Sequence, residues 1–193
     1  MKNKIIALLL ACFCLSSCFG GKSPSSSFYT LDFGRNISAL SNKKFNLFID
    51  NVDVPDYLKQ PQIVTIEPNR VEISRSEFNR WGAPLRDLIQ RNLAENLNRY
   101  FPKAQIMLSE ANFSKDNYLT LRVDLNRLEG TWEQKAILDA EWAILDAKGR
   151  EIVHERSSFS TPLGNTYEEL VQKQSLLLSR LAEQIAQKLV RIK

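Results

Sequence analysis

Histidine is almost absent from this chain of 193 residues, and glycine and proline are scarce. His154 is the only imidazole, which excludes histidine-rich metal sites. It lies in a predicted strand, where we expect an ordinary strand side chain rather than a catalytic base. Seven glycines and seven prolines exclude collagen-like and low-complexity chains. A hydrophobic fraction of 44% and a net charge of only +4 exclude a disordered protein.

Long apolar runs are also missing, because none reaches the roughly 18 to 20 residues of a transmembrane helix. The apolar run Ile5–Leu15 follows Lys2 and Lys4, and its length fits the hydrophobic region of a secretory signal peptide. The next residues, Leu15-Ser16-Ser17-Cys18, look like a bacterial lipobox. Such a box has an aliphatic residue, two small residues and a cysteine whose thiolate accepts a diacylglyceryl group. The alternative is a plain secretory signal that is cleaved nearby.

These features predict a signal peptide over 1–17, a lipidated cysteine with a flexible tether over 18–27, and a single globular domain over 28–193. No cofactor is expected besides the covalent diacylglyceryl and N-acyl lipid on Cys18. Cleavage removes Lys2 and Lys4 and leaves a net charge of about +2, which does not indicate a basic face for nucleic acid. Phe19 stands where an aspartate would favour the inner membrane. We therefore expect the periplasmic face of the outer membrane of a Gram-negative bacterium.

Alternating apolar and polar residues predict the strands. The alternation is clearest at 118–128, where Leu121 and Val123 point to one face and Arg122 to the other. A turn at Asp146–Gly149 joins two further strands, which predicts three consecutive antiparallel strands. The predicted strands are 28–33, 45–54, 63–66, 71–74, 104–108, 118–128, 135–145 and 150–159.

Two amphipathic helices complete the predicted domain. The first begins at Pro84, which fits the first helical turn, and ends before Pro102. The second begins after Thr166, which we expect to cap the helix while Glu169 reaches back. The elements together predict an α+β or three-layer α/β fold. It has a twisted mixed sheet of about five to seven strands and two long amphipathic helices, the second C-terminal.

The sequence carries no motif of nucleotide binding, of a hydrolase nucleophile elbow or of zinc binding. Trp81, just before the first helix, has two interpretations. It is either a packing residue that fixes the loop on the helix or an exposed aromatic anchor for a protein partner, with Arg80 beside it. The segment Val54–Leu58 is likewise either a packed turn or a contact loop. From its residues alone, the chain is a lipid-tethered periplasmic domain without a visible active site.

Short motifs follow one another along nearly the whole mature chain. The first two are Asn51-Val52-Asp53-Val54-Pro55-Asp56-Tyr57-Leu58 and Pro61-Gln62-Ile63-Val64. The later ones are Asn79-Arg80-Trp81-Gly82-Ala83-Pro84-Leu85, Asn92-Leu93-Ala94-Glu95-Asn96-Leu97, Glu129-Gly130, Glu141-Trp142 and Tyr167-Glu168-Glu169-Leu170-Val171. With the lipobox at Cys18, this ordered set resembles the ABC-type transport auxiliary lipoproteins, the PqiC-like family.

The resemblance implies a docking subunit rather than an enzyme. Lipoproteins of this family look like outer-membrane-anchored parts of systems that move phospholipid between the two membranes and support membrane integrity. Their partners include MCE-domain proteins of the periplasm and, in many systems, an ABC ATPase and permease. The family also suggests ring-like self-association. We expect Tyr57, Leu58, Arg80 and Trp81 to contact the partner.

Two other functions stay open at this point. In the first, the sheet and helices enclose an apolar cavity, and the protein is a periplasmic lipid-binding carrier. In the second, the chain is an unrecognised hydrolase that depends on His154. Co-purified phospholipid would favour the carrier, and an activity that requires His154 would favour the hydrolase.

Overall fold

A computed structural model describes residues 24–33, 38–69, 71–108 and 118–192. The predicted signal peptide, Cys18 and most of the predicted tether lie outside these ranges. The boundaries of the three predicted segments therefore stay predictions.

The described residues form a mixed sheet of eight strands and two helices, an α+β fold. The expected fold class is confirmed, including the C-terminal second helix, although the sheet has more strands than the five to seven expected. A short 3-10 helix, Asp56–Leu58, lies between the second and third strands. In chain order the elements are β1 (Ser27–Tyr29), β2 (Asn46–Ile49), β3 (Gln62–Ile66), β4 (Ile73–Trp81), α1 (Leu85–Tyr100), β5 (Gln105–Met107), β6 (Leu119–Thr131), β7 (Lys135–Leu145), β8 (Glu151–Pro162) and α2 (Tyr167–Arg191).

Strand β6 pairs with three other strands of the sheet, β2, β3 and β7. One of its sides pairs with β7 in antiparallel fashion, and β7 pairs in turn with β8, which confirms the three consecutive antiparallel strands. The other side is shared by two shorter parallel strands. Strand β2 pairs with the start of β6, and β3 pairs near its end, where Thr65 lies opposite Gly130. Strand β5 extends the sheet from β2, while β4 and then β1 extend it from β3.

Both helices contribute to one apolar core against one face of the sheet. Because side chains alternate along a strand, Leu121, Val123 and Leu125 of β6 are buried while Arg122 and Asp124 between them are exposed. The buried face of α2 repeats at helical spacing: Leu170, Leu177, Leu178, Leu181, Ile185 and Leu189. Each such leucine contributes about 1.5 to 3 kcal/mol through burial. In the described part of the chain, neither helix has both the length and the hydropathy needed to cross a bilayer.

Polar side chains of α2 form hydrogen bonds to the sheet and hold the helix in place on it. The Gln174 side chain donates to the Leu128 carbonyl oxygen over 2.9 Å. The buried Trp142 indole donates to the Ser157 hydroxyl over 2.8 Å, and that hydroxyl donates to Gln184 on α2. Trp142 is therefore a core residue with a satisfied N–H group.

Local sequence signals set the residues at which the two helices begin. The Glu169 backbone N–H donates to the Thr166 hydroxyl over 3.2 Å, which confirms Thr166 as the cap of α2. The Glu169 carboxylate lies 3.7 Å from the ammonium of Lys173. Helix α1 begins one residue after Pro84, whose carbonyl oxygen accepts from the Asp87 and Leu88 N–H groups.

Candidate partner-binding surface

The two segments predicted to contact a partner meet at one place in the sheet. Strand β3 begins directly after the segment that holds Tyr57 and Leu58, and β4 ends at Trp81. The Trp81 N–H donates to the Pro61 carbonyl oxygen over 2.7 Å. Gln62 lies opposite Arg80 in the antiparallel pair. The sheet thus unites two motifs that lie about 20 residues apart in the sequence.

Two of the four expected contact residues are core residues. Leu58 is 3% exposed and Trp81 is 5% exposed. For Trp81 the packing interpretation therefore applies, and the exposed-anchor interpretation was wrong for the isolated chain. Alternation along β4 is the physical reason, because it turns Trp81 toward the core and its neighbour Arg80 toward the opposite face. Arg80 is partly exposed, and its Nε atom is buried without a hydrogen-bond partner among the described residues.

The exposed aromatic neighbour of Arg80 is Phe28, which the sequence did not single out. Phe28 pairs with Arg80 across the parallel β1–β4 ladder, and 68% of its surface is exposed. Because successive side chains of a strand point to opposite faces, the next residue, Tyr29, turns the other way and packs against the core. Phe28, Arg80 and Gln62 thus lie side by side on three adjacent strands, and we call them the Arg80 patch. The only signal in the sequence was an aromatic residue at the very start of the first strand.

Tyr57 is half-buried and holds the loop before β3 on the sheet. Its hydroxyl donates to Glu129 Oε2 over 2.9 Å, and the Leu128 N–H donates to the same oxygen over 3.0 Å. Burial, and then the negative charge of Glu129, raise the pKa of the Tyr57 hydroxyl above its ordinary value of 10. The hydroxyl therefore stays protonated and remains a donor over the whole physiological range.

Glu129 is a charged residue buried in β6, with only 2% of its surface exposed. The Arg127 guanidinium donates to Glu129 Oε1 over 2.6 Å, which provides the charge partner that a buried carboxylate needs. Arg127 also lies 3.7 Å from Asp139 on β7, and Asp139 accepts from the Ser158 hydroxyl on β8. The motif Glu129-Gly130 hinted at this network, but the network itself depends on four separate elements of the fold.

The face of the sheet opposite the helices carries a row of paired charges across β7 and β8. His154 Nε2 lies 2.7 Å from Glu141 Oε1, and Arg156 donates to Glu141 Oε2 over 3.0 Å. The hydrogen bond to His154, together with the Arg156 charge, lowers the pKa of the partly exposed Glu141 carboxyl. His154 also lies 3.1 Å from Glu151. The lone histidine is thus a strand side chain that contacts two carboxylates on this face of the sheet.

The described ranges also bear on two other kinds of site, a metal centre and an enclosed cavity. Across the described ranges, the His, Cys, Asp and Glu side chains form no group of three or more that would hold a metal ion. Three clefts of about 580, 500 and 410 Å³ open at the surface, and charged residues line each of them. None of these three is an enclosed apolar chamber, so they do not favour the carrier function with a buried acyl chain.

Solved structures share this fold. A crystal structure of an uncharacterized protein superposes with a TM-score of 0.73 and 20% identity, and covers 86% of this chain and 99% of its own. A protein of the DUF330 family from Xanthomonas campestris superposes with a TM-score of 0.63 and 11% identity, and covers 83% of this chain and 92% of its own. At these identities the likeness concerns the fold alone. A comparison with curated proteins finds no match.

The sequence itself matches a family. The model of the family described as ABC-type transport auxiliary lipoprotein component matches residues 29–186. This range runs from the end of β1 to the last turns of α2, and it includes the Tyr57–Glu129 network, the β3–β4 ladder and both helices. The chain belongs to the ABC-type transport auxiliary lipoprotein family.

Proposed function

We propose that this chain is an outer-membrane-anchored periplasmic lipoprotein that docks an MCE-domain protein of an intermembrane lipid transport system and has no catalytic role. The family match over 29–186 carries this proposal, because the family supplies auxiliary components of transport systems rather than their ATPases. The energy source then lies in another subunit. This division fits a sequence without a nucleotide-binding motif.

The lipid on Cys18 supplies the membrane attachment in this proposal. Two or three acyl chains hold a protein on a bilayer far more firmly than one chain does. The roughly nine residues from Cys18 to Ser27 span at most about 30 Å when fully extended. The domain therefore stays within a short distance of the bilayer but retains freedom to turn toward its partner.

The Arg80 patch is the contact surface that we propose for the partner. Arginine and aromatic side chains are enriched among the residues that dominate binding energy at protein interfaces. Phe28 is exposed, and Arg80 beside it is partly exposed, so a docked protein can contact both side chains. Tyr57, Leu58 and Trp81 act in this scheme by holding the β3–β4 junction in place.

Capture of the purified MCE-domain protein by the lipidated full-length chain tests the proposal. We expect Phe28→Ala and Arg80→Ala each to weaken capture by about tenfold, the effect of a dominant interface residue. Arg86→Ala on α1 and Leu176→Ala on α2 are matched controls, because both side chains are exposed on helices. These controls should capture as the wild type does.

The outcomes separate the function from the site. If the wild type fails to capture any MCE-domain protein from its own organism, the docking function is wrong. If the wild type captures its partner and all four variants do so equally well, the function stands and the Arg80 patch is not the contact surface.

A further inference from the structure

A basic cleft lies at the end of the sheet where β6 begins. It has a volume of about 580 Å³ and lies between the start of β2, the start of β6, the β7–β8 turn and the end of α2. Four basic side chains line it: Lys43, Lys44, Lys148 and Arg150. A second cleft of about 500 Å³ shares Leu119, Asp146 and Ile192 with it and adds Lys188 and Arg191. We call the first of these the basic cleft.

Some of these basic residues already have partners that shape the cleft. The Lys43 ammonium donates to the carbonyl oxygens of Leu189 and Ile192 at the end of α2. It thereby neutralises the partial negative charge of the helix C-terminus. Arg150 forms an ion pair with Asp146, at 2.7 Å between Nη2 and Oδ2. Arg150 therefore balances the negative charge of Asp146 in the wall of the cleft, and Lys43 balances the negative end of α2.

Lys44 and Lys148 differ from these residues. Both are exposed, both line the basic cleft, and neither has an ion-pair partner within the ranges that the structure describes. Their positive charges are thus available to a ligand. The same cleft contains half-buried apolar side chains, namely Phe45, Leu119 and Ile192. A cleft lined by both basic and apolar side chains matches an amphiphilic ligand with an anionic group, and its volume lies in the range of small-molecule sites.

The basic cleft and the tether lie at different ends of the sheet. The cleft includes Leu119, the first residue of β6. Strand β1 pairs with β4 at Arg80, and Arg80 lies opposite Gln62 of β3. Gln62 comes three residues before Thr65, which lies opposite Gly130 near the other end of β6. The two levels are about eight residues apart on β6, or about 25 Å along the strand. A ligand in the cleft therefore lies away from the point where the tether joins the domain.

We propose that the basic cleft binds a phosphate ester, carried either by a phospholipid headgroup or by a free small molecule, through Lys44 and Lys148. This inference rests on the proposed function in lipid transport for its setting. The ammonium groups bind the phosphate oxygens by charge-assisted hydrogen bonds. The apolar lining contacts the glycerol and the first methylene groups when the ligand is a lipid.

Calorimetric titration of the full-length lipidated protein in a non-ionic detergent tests this site. The ligands are dihexanoylphosphatidylglycerol, glycerol 3-phosphate and the phosphate-free dihexanoylglycerol. We expect the wild type to bind the phospholipid, and Lys44→Ala/Lys148→Ala to bind it at least about tenfold more weakly. Lys135→Ala/Lys173→Ala is the matched control, because these lysines belong to the start of β7 and the first turns of α2. It should bind as the wild type does.

The three ligands identify the source of the phosphate. Equal binding of glycerol 3-phosphate and the phospholipid supports a site for free phosphate esters, whereas tighter binding of the phospholipid supports a headgroup site. Equal binding of dihexanoylglycerol, or full binding by Lys44→Ala/Lys148→Ala with an unchanged melting temperature, overturns the proposal. Capture of the MCE-domain protein separates it from the docking function. If the wild type captures the MCE-domain protein but binds none of the three ligands, the proposal for the basic cleft is overturned and the docking function stands.

Discussion

Glu129 is a carboxylate in the interior of a sheet, and three donors hold it there. The Tyr57 hydroxyl, the Arg127 guanidinium and the Leu128 N–H all donate to it. Tyr57, which looks like a partner-contact residue in the sequence, therefore has a structural role in the folded chain. Removing one donor from a buried charge lowers the free energy of unfolding far more than breaking an exposed ion pair does.

Tyr57→Phe should lower the free energy of unfolding by about 1 to 3 kcal/mol, because it removes a hydrogen bond to a buried charged acceptor. Urea denaturation measures this difference. Tyr100→Phe is the matched control, since Tyr100 is also half-buried but has no side-chain hydrogen bond in the described part of the chain. Equal losses in the two variants would contradict the role of the Tyr57 hydroxyl.

The raised pKa of Tyr57 also predicts a dependence on pH. Above its ordinary pKa of 10, the unfolded chain loses the Tyr57 proton while the folded chain keeps it. Unfolding then releases a proton, so the free energy of unfolding falls as the pH rises past this value. The decline should be less steep in Tyr57→Phe than in the wild type when denaturation is followed from about pH 9 to 11. Parallel declines would refute this assignment.

Gly130 is the residue that lets β6 approach the start of α2. A β-carbon at this position would lie 2.5 Å from Leu163 Cδ2 and 2.7 Å from Leu170 Cδ1. Gly130→Ala should therefore cost about 1 to 3 kcal/mol through overpacking, as measured by thermal or urea denaturation. Gly82→Ala is the control, because its new β-carbon meets only the Tyr29 carbonyl oxygen, at 3.4 Å. A cost at Gly82 as large as that at Gly130 would contradict the packing explanation.

At the scale of elements, the cap of α2 decides where the longest helix begins. Thr166→Ala removes the oxygen that accepts from the Glu169 N–H and should cost about 1 kcal/mol. Thr166→Ser keeps that oxygen and should stay close to the wild type in the same denaturation experiment. If serine fails to preserve the stability, the hydroxyl is not what holds the helix start.

The sheet shows a second effect at this scale. Strands β2 and β3 lie beside the same edge of β6. Between them, Asp53 still bridges Asp124 of β6, and the chain then leaves the sheet to form the 3-10 helix Asp56–Leu58. The alternation in the sequence predicted both strands. It did not predict that they share a neighbour, because strand pairing depends on β6, which lies more than 50 residues later in the chain.

For the whole molecule, the proposed lipid anchor is Cys18, which lies outside the described residues. Cys18→Ser should abolish incorporation of a fatty-acid label and release the protein from the membrane fraction, because the proposed lipid attachment is lost. Cys12→Ser and Cys14→Ser are matched controls in the predicted signal peptide and should leave labelling unchanged. Persistent label in Cys18→Ser would refute the anchor.

The sequence by itself determined the elements of this domain, since helix periodicity, strand alternation and the cap at Thr166 are encoded within a few neighbouring residues. Family membership likewise followed from ordered local motifs. Only the tertiary structure decided which side chains meet. Tyr57 and Glu129 are 72 residues apart, and Phe28 reaches Arg80 only through a parallel ladder. Pairing over such distances depends on the packing of the whole chain, which no local pattern contains, and so the Arg80 patch and the basic cleft became visible only in the folded domain.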